Sequence, residues 1–473
     1  MIGTVLRFEA AFLALPCIVA LIYREKEGWA YFAVALLCLG LGQLLVRREV
    51  KSLIYYAKQG FIMVALNWVV LSLFGALPFV LCGDIPSYVD ALFETVSGLT
   101  TTGSSILTDV EALSHTSLFW RSFTHWIGGM GVFVLMLAVL PTSGAYNMNL
   151  MKAESPGPQV SKLVPRLRDT AVILYGIYFA LTVVEIVILL ISGMPLFDSL
   201  TLSFGTAGTG GFGIKNDSIA SYTAFQQMAI AVFMVLFGVN FNAYYFLLGK
   251  DKKAAFKMEE VRWYFCIILI SVLLICISVF HMYDGLGETF RHAFFQVASI
   301  ITTTGYATTD FNLWPMFPKL ILVTIMFIGA CAGSTGGGIK VSRIIIMVKS
   351  VMREIGSFIH PRSVQSVKID GKGLTTEVRR SAKQYFLTFI LVFIVSMLII
   401  SWDSQDFEVC FTSVAATINN IGPGLGKVGP TGNFADFTIL SKLVFIFDML
   451  AGRLELYPML LLIAPYAWRS YNK

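Results

Sequence analysis

Apolar runs of about the length needed to cross a bilayer recur along this chain, separated by shorter stretches in which charge collects. They predict ten helices, over 5 to 23, 29 to 46, 58 to 82, 117 to 141, 169 to 193, 225 to 249, 259 to 281, 315 to 348, 384 to 402 and 437 to 468. Between alternate helices lie four weakly apolar stretches, 86 to 106, 195 to 213, 287 to 308 and 405 to 425, too short and too rich in small residues to span. Each is followed by a polar link and another long helix. The pattern predicts a helix, pore-loop, helix unit repeated four times behind two extra N-terminal helices. The expected segments are 1–50 for the extra helices, then 51–145, 165–250, 258–350 and 380–473 for the repeats.

Composition agrees with this reading. Of 473 residues, 56 % are hydrophobic and 14 % charged, and the mean hydropathy is +0.74, well to the apolar side of soluble domains. The class expected is an all-α membrane protein with the four units around a central pore. The first apolar run, 8 to 22, closes without a small-residue cleavage pattern and reads as a retained helix. With the N-terminus placed in the cytoplasm, the inward segments gather most of the basic residues: Arg47, Arg48, Lys51 and Lys58; Lys152, Lys162, Arg166 and Arg168; Lys250, Lys252, Lys253, Lys257 and Arg262; and a dense group from Lys340 to Lys383. That asymmetry orients the chain, with both termini cytoplasmic.

The ends of the four short stretches carry the chemistry. They read Thr100-Thr101-Thr102-Gly103-Ser104, Gly208-Thr209-Gly210-Gly211-Phe212, Thr302-Thr303-Thr304-Gly305-Tyr306 and Asn419-Asn420-Ile421-Gly422-Pro423. Six residues before each shared glycine stands a small residue, Ser97, Gly205, Ser299 or Ala416, as expected where four short helices crowd one axis. A cation crossing a membrane must exchange its hydration shell for fixed oxygens, and rings of backbone carbonyls supply them. Glycine permits the positive-φ conformations that turn successive carbonyls toward an axis, and threonine adds hydroxyls. Non-helical backbone at membrane depth is tolerated only inside protein or along a wet cavity, so four such loops argue for a pore. Short helices ending at the loops would aim their negative dipole ends at the pore centre. The residues expected to hold the ion are Thr101, Thr102, Gly103, Thr209, Gly210, Gly211, Thr303, Thr304, Gly305, Asn420, Ile421 and Gly422. Asp84, Asp90, Asp109, Glu111, Asp198, Asp217, Asp310 and Asp436 either enrich cations at the mouth or serve as caps and solvated loop residues.

These residues resemble the Trk/Ktr/HKT superfamily of potassium uptake proteins, most closely its bacterial TrkH and TrkG group. The resemblance covers essentially the whole chain. It extends to Gly329-Ala330-Cys331-Ala332-Gly333-Ser334-Thr335-Gly336-Gly337-Gly338-Ile339-Lys340, which looks like the family's intramembrane gating loop, and to Asp448-Met449-Leu450-Ala451-Gly452-Arg453-Leu454-Glu455, similar to its arginine-bearing helix. The resemblance implies potassium and rubidium permeation, a homodimer with one pore per protomer, a bacterial inner-membrane location, and control by TrkA, a cytoplasmic nucleotide-binding ring. In related plant proteins a serine at the first filter glycine accompanies sodium permeation. Gly103 at that position favours potassium, while Asn420-Ile421 makes the fourth loop the largest departure from the TTTG form.

The stretch 329 to 338 is expected to break its helix, because each glycine costs about 1 kcal/mol relative to alanine. Close helix packing through small residues is the plainer explanation. A movable constriction formed by Gly333, Ser334, Gly336, Gly337 and Gly338 is the functional one. Arg453 lies in an apolar helix, where a charge must be paired or face water. It is either an ion-pair partner of Asp448 or Glu455 or a cationic barrier on the axis.

Other classes find little support. The seven cysteines read as small core hydrophobes without metal spacing, and the five histidines as scattered residues. No nucleophile and base pairing, HExxH or intramembrane carboxylate dyad points to an enzyme or a cofactor. A potassium carrier coupled to protons or sodium is the chief alternative, since such carriers also use broken helices.

Overall fold

The computed structural model describes residues 1–47, 57–131, 167–249, 252–360, 366–403 and 406–468. The basic residues Arg48, Lys51, Lys152, Lys162, Arg166 and Lys250 lie outside them, as do 132–141 of the expected fourth span.

Six described helices are long and apolar enough to cross a membrane unbroken: Ile2–Tyr23, Gly28–Val46, Lys58–Cys82, Asp169–Ile191, Glu259–Met282 and Thr376–Asp403. They are the two N-terminal helices and the first helix of each of four repeats. The N-terminal pair packs through glycine, for a Cβ at Gly3 would stand 2.8 Å from the Gly42 carbonyl oxygen and one at Gly42 equally close to that of Gly3. Close approach of this kind is how helices associate where lipid removes the hydrophobic incentive. Each repeat continues with a short pore helix: Tyr88–Leu99, Leu196–Gly208, Leu286–Ile301 and Phe407–Ile418.

The inner helices of repeats two, three and four are interrupted, and that of repeat one ends within the described residues. His115–Met130 ends at Gly131, whose φ is 82°. Ala224–Phe237 turns through 91° into Phe241–Leu248. Met316–Ile328 stops at Gly329 and helix resumes only at Val341–Ile359. Ile439–Arg453 is separated from Tyr457–Ile463 by a turn in which Glu455 and Leu456 have φ of 62° and 66°. The continuous spans expected over 225 to 249 and 437 to 468 are therefore each two helices. The physical reason lies between repeats. A break at membrane depth requires other partners for the freed backbone groups. At Gly238–Phe241 the glycine-rich loop supplies them, with Cys331 N donating to Gly238 O (3.1 Å) and Phe241 N donating to Gly333 O (3.0 Å).

The link between the first two helices is tied to repeat 1 by Glu25. Its carboxylate accepts bonds from His115 N (2.8 Å), Thr116 N (2.8 Å) and Thr116 Oγ1 (2.7 Å), capping the helix His115–Met130 from another part of the chain. Partial burial alone would raise its pKa, but the bonds from Thr116 and His115 outweigh that and hold it below the ordinary 4.5. A lowered carboxylate pKa contributes stability that is complete above the unfolded value and is lost as pH falls through the folded one. Glu25→Gln is expected to cost about 1 kcal/mol, as loss of a helix cap does. In thermal melts in detergent the gap between wild type and variant should be full at neutral pH and close as pH drops below 4.5. A gap unchanged at acid pH would contradict the capping role.

Candidate functional site

The four pore loops repeat one backbone geometry. The residue two before each glycine is left-handed: Thr101 (φ 57°), Thr209 (54°), Thr303 (59°) and Asn420 (55°). Each glycine is again at positive φ: Gly103 (80°), Gly211 (82°), Gly305 (90°) and Gly422 (99°). Between them the intervening amide reaches back to the small residue at the end of the pore helix. Thr102 N donates to Ser97 O (2.8 Å), Gly210 N to Gly205 O (2.8 Å), Thr304 N to Ser299 O (2.8 Å) and Ile421 N to Ala416 O (2.9 Å). Together with bonds such as Thr101 N to Gly98 O (3.0 Å), these are Schellman closures. A β-branched threonine at positive φ is a genuine outlier, and three occur at equivalent places. Asn420 takes that conformation more readily, so the fourth loop keeps the turn despite its different sequence.

The loops also close on one another. A Cβ at Gly103 would collide with Gly210 O, one at Gly211 with Thr304 O and one at Gly305 with Ile421 O, while one at Gly422 would stand 2.9 Å from Thr102 O. Each glycine thus abuts the carbonyl preceding the next loop's glycine, in the order one, two, three, four and back to one. All twelve residues singled out in the sequence lie in this ring or its turns. Side chains brace it: Asn420 Nδ2 donates to Thr102 Oγ1 (2.9 Å), and Ser104 Oγ donates to Gly422 O (3.0 Å). His125 bonds Gly98 O through Nδ1 (2.8 Å) and accepts Phe212 N at Nε2 (3.2 Å), which assigns the proton to Nδ1.

At the glycine end of the ring lies a cavity of about 160 Å³ that all four glycines line, and its charged lining residues are Arg121 and Lys215. None of the eight acidic residues considered for the mouth lines it. Asp84 accepts from Ser114 Oγ, Asp90 pairs with Lys442, Asp109 and Glu111 hold Asn216, Asp198 accepts from Tyr222 and Asp310 caps a turn at Asn312.

The glycine-rich loop packs at the opposite end, where the pore helices terminate. Gly337 N donates to Thr303 Oγ1 (2.6 Å), a Cβ at Gly336 would stand 2.9 Å from Thr302 O, and one at Gly337 would strike Asn419 O. Gly333 and Gly338 are at φ of 70° and 78°, and Ser334 Oγ closes a turn on Cys331 O (2.6 Å). Glu260, 8 % exposed, clamps both ends of the loop by accepting Ala332 N (2.7 Å) and Ser342 N (3.1 Å). Arg453 donates to Thr335 O (2.8 Å) and to the carbonyls of Gly128 and Gly129. Of the two acids considered as its partners, Glu455 pairs with Arg343 and Asp448 accepts from Ser396 Oγ (2.7 Å). The arginine therefore ties the loop to repeat 1. Glu94, Arg121 and Glu260 do not stand out in the sequence, and His125 reads there as one of five scattered histidines. The rule that singled out Arg453, an ionisable group in a membrane segment, applies equally to Arg121.

Four pore-loop repeats closed around one axis, inside a shell of spanning helices, define an all-α membrane protein of the ion-conducting or ion-transporting class. Residues 29–469 match the model of the TrkH family, described as cation transport protein, and the chain belongs to that family. It is 40 % identical to the Trk system potassium uptake protein TrkH of Salmonella typhimurium, over 99 % of this chain and 98 % of that one. It is 35 % identical to the Trk system potassium uptake protein TrkG of Escherichia coli, over 96 % and 95 %. The crystal structure of the potassium transporter TrkH from Vibrio parahaemolyticus superposes with a TM-score of 0.87 at 34 % identity, covering 99 % of this chain and 98 % of that one.

Proposed function

We propose that this chain carries potassium, and rubidium, across a bacterial inner membrane through a channel-like pore whose selectivity filter is the four-loop ring. The observation that carries the reading is the cyclic closure of the loops, each glycine against the next loop's carbonyl. Alternating left-handed residues and glycines expose successive peptide oxygens on one axis, where four equivalent oxygens substitute for the hydration shell of a cation. Thr101, Thr102, Gly103, Thr209, Gly210, Gly211, Thr303, Thr304, Gly305, Asn420, Ile421 and Gly422 form the ion sites. The potassium uptake for which the TrkH and TrkG relatives are named supports potassium as the cargo.

Gating belongs to Gly333, Ser334, Gly336, Gly337 and Gly338, with Arg453 as the latch. Support comes from the loop's position under the ring at Thr302, Thr303 and Asn419. A homodimer controlled by a TrkA-like nucleotide-binding ring completes the assembly, with both termini cytoplasmic. The partner docks on 339–383, because Ile369, Asp370, Gly371, Lys372 and Gly373 of the hairpin and the loop's Ala332 line one cavity of about 850 Å³.

Reversal potentials of the purified protein in mixed potassium and sodium test the proposal. A potential that follows the potassium gradient supports it. Equal response to both ions, or saturating uptake that stops when a proton or sodium gradient collapses, would replace the channel with an unselective pore or a coupled carrier.

A further inference from the structure

One buried ion pair stands beside the ring and takes no part in the function described so far. Glu94 lies on the first pore helix, nine residues before Gly103, and Arg121 on the inner helix His115–Met130. They are 1 % and 3 % exposed and bonded to each other. A buried pair contributes little net stability by itself, since desolvation offsets the attraction. Its remaining partners show what it holds.

Glu94 accepts Ser105 Oγ (3.0 Å) and Ile106 N (3.0 Å), the residues that follow the first loop. Arg121 donates from Nη1 to Gly213 O (2.7 Å) and lays its guanidinium 3.6 Å from the centre of the Phe212 ring, both residues that follow the second loop. One ion pair thus joins the exits of loops one and two. His125, one turn further along the same helix, ties the entry of loop one at Gly98 to the same exit of loop two at Phe212. The other three repeats have Leu202, Gln296 and Ser413 nine residues before their glycines, so the buckle exists at one seam of the ring. Arg121 also lines the cavity at the glycine end, where an unneutralised cation would oppose an arriving one.

We propose that Glu94 and Arg121 are positioning residues for selectivity: they fix the spacing of the first two loops at the glycine end and keep Arg121 from repelling the permeant ion. The inference rests on reading the ring as a potassium filter. Arg121→Lys preserves the charge while losing the planar bond to Gly213 and the stacking on Phe212, and Glu94→Gln preserves the shape while freeing the arginine's charge.

The test is the potassium to sodium permeability ratio of each variant in proteoliposomes, on protein that elutes as the assembled species. Both variants are expected to lower the ratio about tenfold or more, a change that needs only about 1.4 kcal/mol. Glu94→Gln should in addition lower rubidium flux, which Arg121→Lys should spare by comparison. A purely structural pair would reduce the yield of assembled protein and leave the ratio of the survivors untouched. If wild type is selective and Arg121→Lys keeps its ratio, this inference is overturned alone. If wild type does not discriminate, the filter reading fails and takes the inference with it.

Discussion

Gly211→Ala abolishes conduction, with rubidium uptake into proteoliposomes falling about 100-fold or more, the equivalent of about 2.7 kcal/mol. Two effects add. An alanine at φ 82° carries the left-handed penalty of about 1–2 kcal/mol. Its methyl must also displace the Thr304 carbonyl of the neighbouring loop, and with it a peptide oxygen of the ring. Gly83→Ala separates these contributions. Gly83 has φ 87° but nothing within 4 Å of its virtual Cβ, so the variant shares the strain and spares the ring. It should lose some stability and conduct like wild type. Equal loss in both variants would assign the effect to folding.

Deletion of 331–336 raises ion flux, by about tenfold, and Arg453→Gln raises it in the same direction. The deleted segment holds Ala332 against Glu260, Gly333 against Phe241, Thr335 against Arg453 and Gly336 against Thr302, so the loop would lose these ties and only the stretch from Gly337 onward would remain beside loops three and four. A unit charge within about 8 Å of a passing cation opposes it by about 2 kcal/mol at an effective dielectric of about 20. Glutamine removes that charge and keeps a donor for one carbonyl, whereas Arg453→Lys keeps the charge. A rise in Arg453→Gln but not Arg453→Lys makes the charge the barrier. A rise in both makes the tether to Thr335, Gly128 and Gly129 the barrier. Unchanged or reduced flux in folded deletion protein would contradict the gate.

What could be read from sequence was whatever local chemistry dictates. The four glycines announce themselves because positive φ is a demand glycine meets cheaply, and the small residues Ser97, Gly205, Ser299 and Ala416 mark where an amide must reach back to a helix end. The left-handed Thr101, Thr209 and Thr303 were named as ion-site residues, but not for their conformation, because a β-branched residue argues against it. Interruption at 329 to 338 was legible from clustered glycine. The 91° turn at Gly238–Asn240 was not, since no proline marks it and its backbone partners lie about a hundred residues downstream in the glycine-rich loop. Arg453 stands out in the sequence as a charge in an apolar helix, but its bonds to backbone carbonyls of two other repeats depend on contacts that only the fold determines. Glu94 and Arg121 failed to stand out because their meaning depends on contacts with loops whose approach only the fold determines.

Anomalous scattering from crystals soaked in rubidium tests the central claim most directly. The account predicts rubidium on the axis of the ring, surrounded by the peptide oxygens of Thr102, Gly210, Thr304 and Ile421 and their neighbours in the same turns. Rubidium bound elsewhere in the protein, with the axis between those four loops empty, would contradict it.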